Sequence, residues 1–172
     1  MLDSRQPTQP PEAANSPMGQ WHPILTGECH DHALATVQAI AEALTAAPHE
    51  TLPAGLAADI HGAAAATSLS SGSAGIALFF AYLAQADTAD QTQQQALHWL
   101  EQAMEGVAAA PMGPALHGGF TGIGWTVAHL AGRAFEAEED DPNGLFDDFL
   151  CDYVAHTPWT GDYDLISGLV GI

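Results

Sequence analysis

From Asp31 to Ala46 the apolar residues Leu34, Val37, Ala41 and Leu44 recur every three or four positions, the spacing of one helical face. Asp31 is placed to cap the start of that helix and Pro48 to stop it. Residues 53–66 predict a short helix weakened by Gly55 and Gly62. Residues 70–85 (SSGSAGIALFFAYLAQ) are apolar on nearly every side, the pattern of a buried helix. Residues 92–109 put Leu97, Leu100, Met104 and Val107 on one face and glutamines on the other, predicting a half-exposed helix. Residues 119–134 are again apolar all round. Asp141 and Pro142 then read as an N-cap followed by proline at the first helical position. Behind them Leu145, Phe146, Phe149, Leu150 and Tyr153 mark a third amphipathic helix, ending before Pro158. The apolar string LISGLVGI, residues 165–172, opens one more segment. No stretch alternates with period two in β-branched residues, so the predicted fold class is all-α.

The alternation of buried and amphipathic helices carries a repeat. The string G-x-x-G-I occurs at Gly72–Gly75–Ile76, Gly119–Gly122–Ile123 and Gly168–Gly171–Ile172, its first glycines 47 and then 49 residues apart. A period near 50 with two helices per unit predicts stacked helical hairpins, buried helices inside and amphipathic ones outside. Glycine inside a helix costs about 1 kcal/mol relative to alanine, so three glycine pairs at one place in the repeat need a use. At a helix start they allow a sharp incoming turn and close approach of neighbouring helices. If the inner helices all run the same way, their N-termini meet at one face and favour anionic intermediates there.

Composition narrows the function. The net charge is -19, yet the 21 acidic residues are ordinary for 172; only two residues, Arg5 and Arg133, are basic. The charged fraction is 13%, against about 25% in a typical domain. Nucleic acid and anionic membrane are thereby excluded as partners, because both require clustered Lys and Arg. A cationic peptide is compatible. The acidic run from Glu136 to Asp141 reads as a solvated loop, with a weaker reading as a patch for a basic leader peptide. Two cysteines, Cys29 and Cys151, make no disulfide framework. The N-terminus lacks a secretory signal and no run of about 18 apolar residues occurs, so the expected location is cytoplasmic. Residues 1–20, with four of the eleven prolines, are expected to be disordered, and residues 21–172 to form one domain.

The strings LHGGFTGIGWTVAHL (116–130) and DYDLISGLVGI (162–172) resemble segments of the lanthionine synthetase C-like cyclases, and SGSAGIALFFAYL (71–83) resembles the repeat before them. The resemblance covers about residues 30–172. It implies an α/α toroid of seven helical hairpins, of which about three are present here. It also implies a reaction: zinc-dependent addition of peptide Cys thiols to dehydroalanine or dehydrobutyrine in lanthipeptide maturation, with a precursor peptide as substrate and a separate dehydratase as a possible partner. Zinc lowers a thiol's pKa and keeps an open position for the substrate sulfur. In the family, a Cys and a later Cys-His pair hold the metal. No W-C-x-G string occurs in this chain, so no zinc ligand is assigned and no zinc is expected for it. A fragment of a longer protein is the simplest account of that shortfall. Asp164 matches an acidic residue of the family's site, where the resemblance implies acid/base assistance; capping of the next helix is the alternative. Asp162 is a weaker candidate.

Other constellations invite chemistry less strongly. Cys29-His30-Asp31-His32 has metal-binding residue types, zinc first among the metals, but His30 and His32 point to different sides of a helix and only a loop would converge them. His117 stands one residue out of step with the family's catalytic His and reads as a loop or capping residue. His129, on an apolar helix, reads as a core histidine with a hydrogen-bonded partner. Two further function classes stay open: a non-catalytic helical-repeat peptide-binding module, and an α/α carbohydrate-active enzyme with paired carboxylates.

Overall fold

The computed structural model describes residues 24–46, 63–86, 90–109, 111–136, 141, 143–156 and 158–172. Among them lie six α-helices: α1 (Glu28–Ala46), α2 (Ala63–Thr67), α3 (Ser73–Ala86), α4 (Asp90–Ala109), α5 (Phe120–Leu130) and α6 (Gly144–Val154). A 3-10 turn, Leu169–Gly171, follows. The only β feature among the described residues is an isolated bridge between Ala131 and Phe135. The all-α expectation therefore holds. The segments at 1–20 and 53–62, assigned above to disorder and to part of a short helix, lie outside the described residues. No helix among the described residues is long and apolar enough to cross a membrane.

The chain divides into two compact units, Met1–Ala39 and Ile40–Ile172, with the junction inside α1. In the first unit, α1 starts three residues before Asp31: Gly27, at φ +57°, accepts the amide of Asp31 through its carbonyl. Glu28 and Asp31 in that first turn complement the positive end of the helix. Leu34, expected on the apolar face, is exposed.

The second unit is built on the hairpin of α3 and α4. On α3, Ala74, Ala77 and Ala81 are buried one and two turns apart, and on α4 Ala96 and Ala103 are buried in the same way. Small side chains let two helices lie close, and the space between them is filled by the large ones, Phe80 and Trp99. Each large apolar side chain buried there stabilises the fold by about 1.5–3 kcal/mol. The expected face of α4 is thus corrected. The buried stripe runs Ala96–Trp99–Leu100–Ala103, while Met104 is 43% exposed and Leu97 half-buried. Alanine reads weakly as apolar in sequence but packs well where backbones approach. Ala41 and Leu44 at the end of α1 pack on the same core. At Gly106, α4 passes Thr67 of α2 so closely that a methyl group would overlap its side chain.

Helix α5 lies across this hairpin, burying Ile123, Val127 and Leu130. It ends at Leu130, not at Ala134 as the apolar run suggested, because Gly132 takes φ +72° and its amide turns to the Phe135 carbonyl at 2.8 Å. Helix α6 starts two residues later than the Asp-Pro signal implied: Asn143 is its N-cap, and the Asp141 carboxylate accepts the Asn143 amide at 2.9 Å. The Asn143 side-chain amide donates to the Gly124 carbonyl at 2.9 Å, fastening α6 to α5.

The alanine seam makes a direct prediction. Ala77→Leu should lower stability by about 1–3 kcal/mol in urea denaturation, since its Cβ has no room to grow. Ala86→Leu, on an exposed position of the same helix, should stay within about 0.5 kcal/mol of the parent.

Candidate functional site: three stacked turns

The three glycine strings fold into three turns, 68–72, 115–119 and 164–168, each ahead of a helical start. Their main chains are congruent. The first glycine of each donates its amide to the carbonyl four residues back: Gly72 to Ser68 (3.0 Å), Gly119 to Ala115 (2.8 Å) and Gly168 to Asp164 (3.2 Å). The next residue reaches the carbonyl six residues before the glycine. Phe120 donates to Gly113 (3.0 Å) and Leu169 to Asp162 (2.9 Å) through the amide, while Ser73 donates to Ala66 (3.1 Å) through its hydroxyl.

The glycines serve this fold-back. Gly119 and Gly168 have extended backbones, with φ near -124° and -107°, so the requirement is for space and not for a left-handed conformation. A Cβ at Gly119 would stand 2.6 Å from the Ala115 nitrogen, and one at Gly168 would stand 2.5 Å from the Asp164 nitrogen. Gly72 is enclosed by the same elements of its own turn. The second glycines, Gly75, Gly122 and Gly171, each sit on the carbonyl oxygen of a leucine six residues earlier: Leu69, Leu116 and Leu165. The repeat is therefore L-x-x-G-x-x-G-I, and the leucine was visible in the sequence once the three strings were aligned residue by residue. The close approach expected between neighbouring helices is largely an approach of each helix start to its own incoming turn; Gly122, which also meets Leu69 of the preceding repeat, does both.

Hydrogen bonds join the turns side by side. The Ser70 amide donates to the His117 carbonyl (3.0 Å), and the Leu116 amide to the Gly171 carbonyl (2.7 Å). The second turn thus lies between the other two. The N-terminal ends of α3 and α5 accordingly open on one face, where their partial positive charges add.

Asp164 latches its own turn. Its Oδ1 accepts the amides of Ile166 (2.7 Å) and Ser167 (2.9 Å), and its Oδ2 accepts the Ser167 hydroxyl (3.0 Å). The Ser167 and Ile166 amides, with the Ser167 hydroxyl, hold its carboxyl below the usual aspartate value. The first turn has the same latch in serine form: Ser68 Oγ accepts the Ser71 amide (3.4 Å) and pairs with Ser71 Oγ (3.2 Å). Ala115 and Gly118 occupy the corresponding positions of the second turn, which lacks such a latch. Asp162 takes part through its carbonyl, which also accepts Trp159 Nε1 at 3.0 Å. His117 is half-buried in the second turn, and its Nδ1 has no hydrogen-bond partner among the described residues. His129 lies elsewhere. Its Nε2 pairs with the Tyr82 hydroxyl (2.7 Å), its ring stacks on Trp125 with centroids 4.7 Å apart, and Arg133 donates to its carbonyl (2.7 Å). It is half-buried between helices and not enclosed in the core.

Residues 64–172, a span that includes all three turns, match the family described as lanthionine synthetase C-like protein. The chain belongs to this family. No curated protein and no solved structure matches it. The match begins one residue into α2, so α1 lies outside it.

A lanthionine synthetase C-like protein is expected to carry zinc, and the described residues do not fit that ion. Cys29, His30, Asp31 and His32 are successive residues of α1, which step by about 100° each and so fan out around the helix. Cys151 is exposed on α6. Among the described residues no group of three or more His, Cys, Asp or Glu could hold a metal ion.

Two measurements probe the turns. Gly119→Ala should destabilise the protein by about 1–3 kcal/mol or more, whereas Gly118→Ala, whose Cβ would meet nothing within 4 Å, should be nearly silent in the same urea titration. The Asp164 latch depends on ionisation. Its lowered pKa makes the contribution full above about pH 4 and lost as the pH falls through the lowered value. Protection of the Ile166 and Ser167 amides, taken relative to the intrinsic exchange rate at each pH, should therefore fall in acid, and Asp164→Ala should quicken their exchange roughly tenfold at neutral pH while leaving Ser71 unchanged. An unchanged rate in that variant would show that the turn holds without its carboxylate.

Proposed function

We propose that the face of the three turns receives a precursor peptide and serves ring closure by addition of a Cys thiol to dehydroalanine or dehydrobutyrine. The observation that carries this reading is the coincidence of the family match with all three turns, including the D-L-I-S-G string that bears Asp164. In such an addition the thiol gives its proton to solvent, the thiolate sulfur bonds to the β-carbon as the Cα–Cβ π pair moves toward the carbonyl to give an enolate, and the α-carbon then takes a proton from solvent. Helix N-termini that open on one face favour the anionic enolate. Asp164 is the acid/base candidate beside them. A carboxylate held ionised at neutral pH is a weak base, so its part is to orient a proton-bearing group, through Ser167 or a water, rather than to remove a proton unaided. The dehydrated residues imply a dehydratase that has already acted on the same peptide. A cytoplasmic setting, where thiols stay reduced, suits both a thiol-consuming reaction and the free Cys29 and Cys151.

A second reading, a peptide-binding module without chemistry of its own, is favoured by one observation. Both Asp164 oxygens are engaged inside their own turn.

The test uses a synthetic peptide holding one Cys and one dehydroalanine a few residues apart. Thioether closure leaves the mass unchanged but removes the thiol, so treatment with N-ethylmaleimide no longer adds its mass. Ring closure should run above the uncatalysed rate with this chain and fall tenfold or more in Asp164→Asn. Binding without thiol loss decides for the module, and neither binding nor thiol loss removes both readings.

A further inference from the structure

The position just before the first glycine of each string is held by Ser71, Gly118 and Ser167. In the outer two turns that residue belongs to the latch, with Ser68 in the first and Asp164 in the third. In the middle turn it has no side chain, and the fold supplies no reason for this. Gly118 is exposed, it is not among the described glycines at positive φ, and a Cβ built on it meets nothing within 4 Å. Its neighbour Gly119 is the opposite case, closed in by its own turn. Where neither backbone conformation nor internal packing requires a glycine, its remaining use is to let a ligand approach the main chain closely.

A second observation lies beside it. His117 is half-buried, and its Nδ1 is enclosed with no hydrogen-bond partner among the described residues. Enclosed polar atoms are ordinarily paired, so this nitrogen calls for a partner, ligand or water, beyond those residues. The main chain here is held from both sides. The His117 carbonyl accepts the Ser70 amide of the first turn (3.0 Å), and the Leu116 amide donates to the Gly171 carbonyl that follows the third (2.7 Å). The opening over Gly118 therefore lies between two neighbours that are both in place, and Gly119 next to it is the N-cap of α5.

We infer that the opening over Gly118 seats the main chain of the precursor peptide, with His117 as a positioning residue whose Nδ1 hydrogen-bonds that peptide directly or through one water. Gly118 is then a specificity-determining position, because any side chain there stands where the peptide passes. The inference rests on the reading of the turns as a peptide site and deepens it by naming what bounds the peptide in the middle turn. It does not depend on ring closure, since seating can occur in a protein with no activity.

The probe is the synthetic peptide with one Cys and one dehydroalanine, labelled with fluorescein and titrated with the full chain by anisotropy, while urea denaturation follows folding. Gly118→Leu should weaken binding at least tenfold and Gly118→Ala severalfold, both with the urea midpoint of the parent. His117→Phe, which removes an enclosed polar atom that no described residue pairs, should keep the midpoint and weaken binding severalfold. His117→Asn, whose side-chain amide keeps a polar atom near the place of Nδ1, should bind like the parent. Ala86→Leu, an exposed change elsewhere on α3, should leave both measurements unchanged. Unchanged affinity in Gly118→Leu would overturn the inference. So would a midpoint lowered in both Gly118 variants, because the fold would then require the glycine. Equal affinity of His117→Phe and His117→Asn would overturn the part given to His117. Weakened binding in Gly118→Leu, with a parent that binds the peptide but leaves its thiol free, would uphold the seat while removing ring closure. A parent that does not bind the peptide would overturn both.

Discussion

Main chain packed on main chain at the start of each inner helix is the constraint on which the described architecture rests. A turn of five residues folds back under the helix it introduces, bringing carbonyl oxygens to distances that no side chain tolerates at Gly119, Gly122, Gly168 and Gly171. The backbone groups so enclosed are satisfied by each other, through the bonds from Gly119 to Ala115 and from Phe120 to Gly113 and their counterparts. An enclosed turn of this kind needs no side-chain cap, and Gly119 and Gly168 make none. Two main-chain bonds then register the three turns against one another. A helical repeat is thereby given one face of aligned helix N-termini.

The interior follows the same economy of side chain. Ala74, Ala77, Ala81, Ala96 and Ala103 line the α3–α4 seam, and the larger Phe80 and Trp99 fill what remains. A core so rich in alanine stabilises through closeness of backbones and dense contact more than through area per side chain. Many large apolar side chains lie outside it, Leu145, Phe149, Tyr153 and Val154 of α6 among them. Leu145 and Phe149 face solvent beside carboxylates that the chain's own bases are too few to neutralise.

At the turn face, one structural device has two chemical forms. Ser68 and Ser71 in the first turn do with hydroxyls what Asp164 and Ser167 do in the third with a carboxylate. A cap alone does not require a charge, since serine supplies it in the first turn. The version in the third turn uses a formally charged group in the same place.

Helix existence, the all-α class, the period near 50 and the family were legible in the residues, because a 3.6-residue apolar period and a glycine string recurring in register are local signals. Asp164 was legible as a cap or a site candidate, but the N-cap position before the 3-10 turn belongs to Gly168, and Asp164 instead bonds Ile166 and Ser167 within its own turn. The ends of helices were less so. Gly132 stopped α5 early by taking a positive φ, and Asn143, not Asp141, began α6 because its side chain was drawn to the Gly124 carbonyl. Which face of α4 is buried was decided by the partner helix: Ala96 and Ala103 fit against the alanines of α3, and Met104 was left at the surface. The stacking of the turns and the exposure of Leu145 and Phe149 were also tertiary outcomes. Sequence alone determined which segments coil and where chain reversal must be free of side chains, because those depend on neighbours a few residues away. Only the folded chain decided which surfaces meet, because that depends on backbones some 47 residues apart coming within hydrogen-bonding distance, as Ser70 and His117 do.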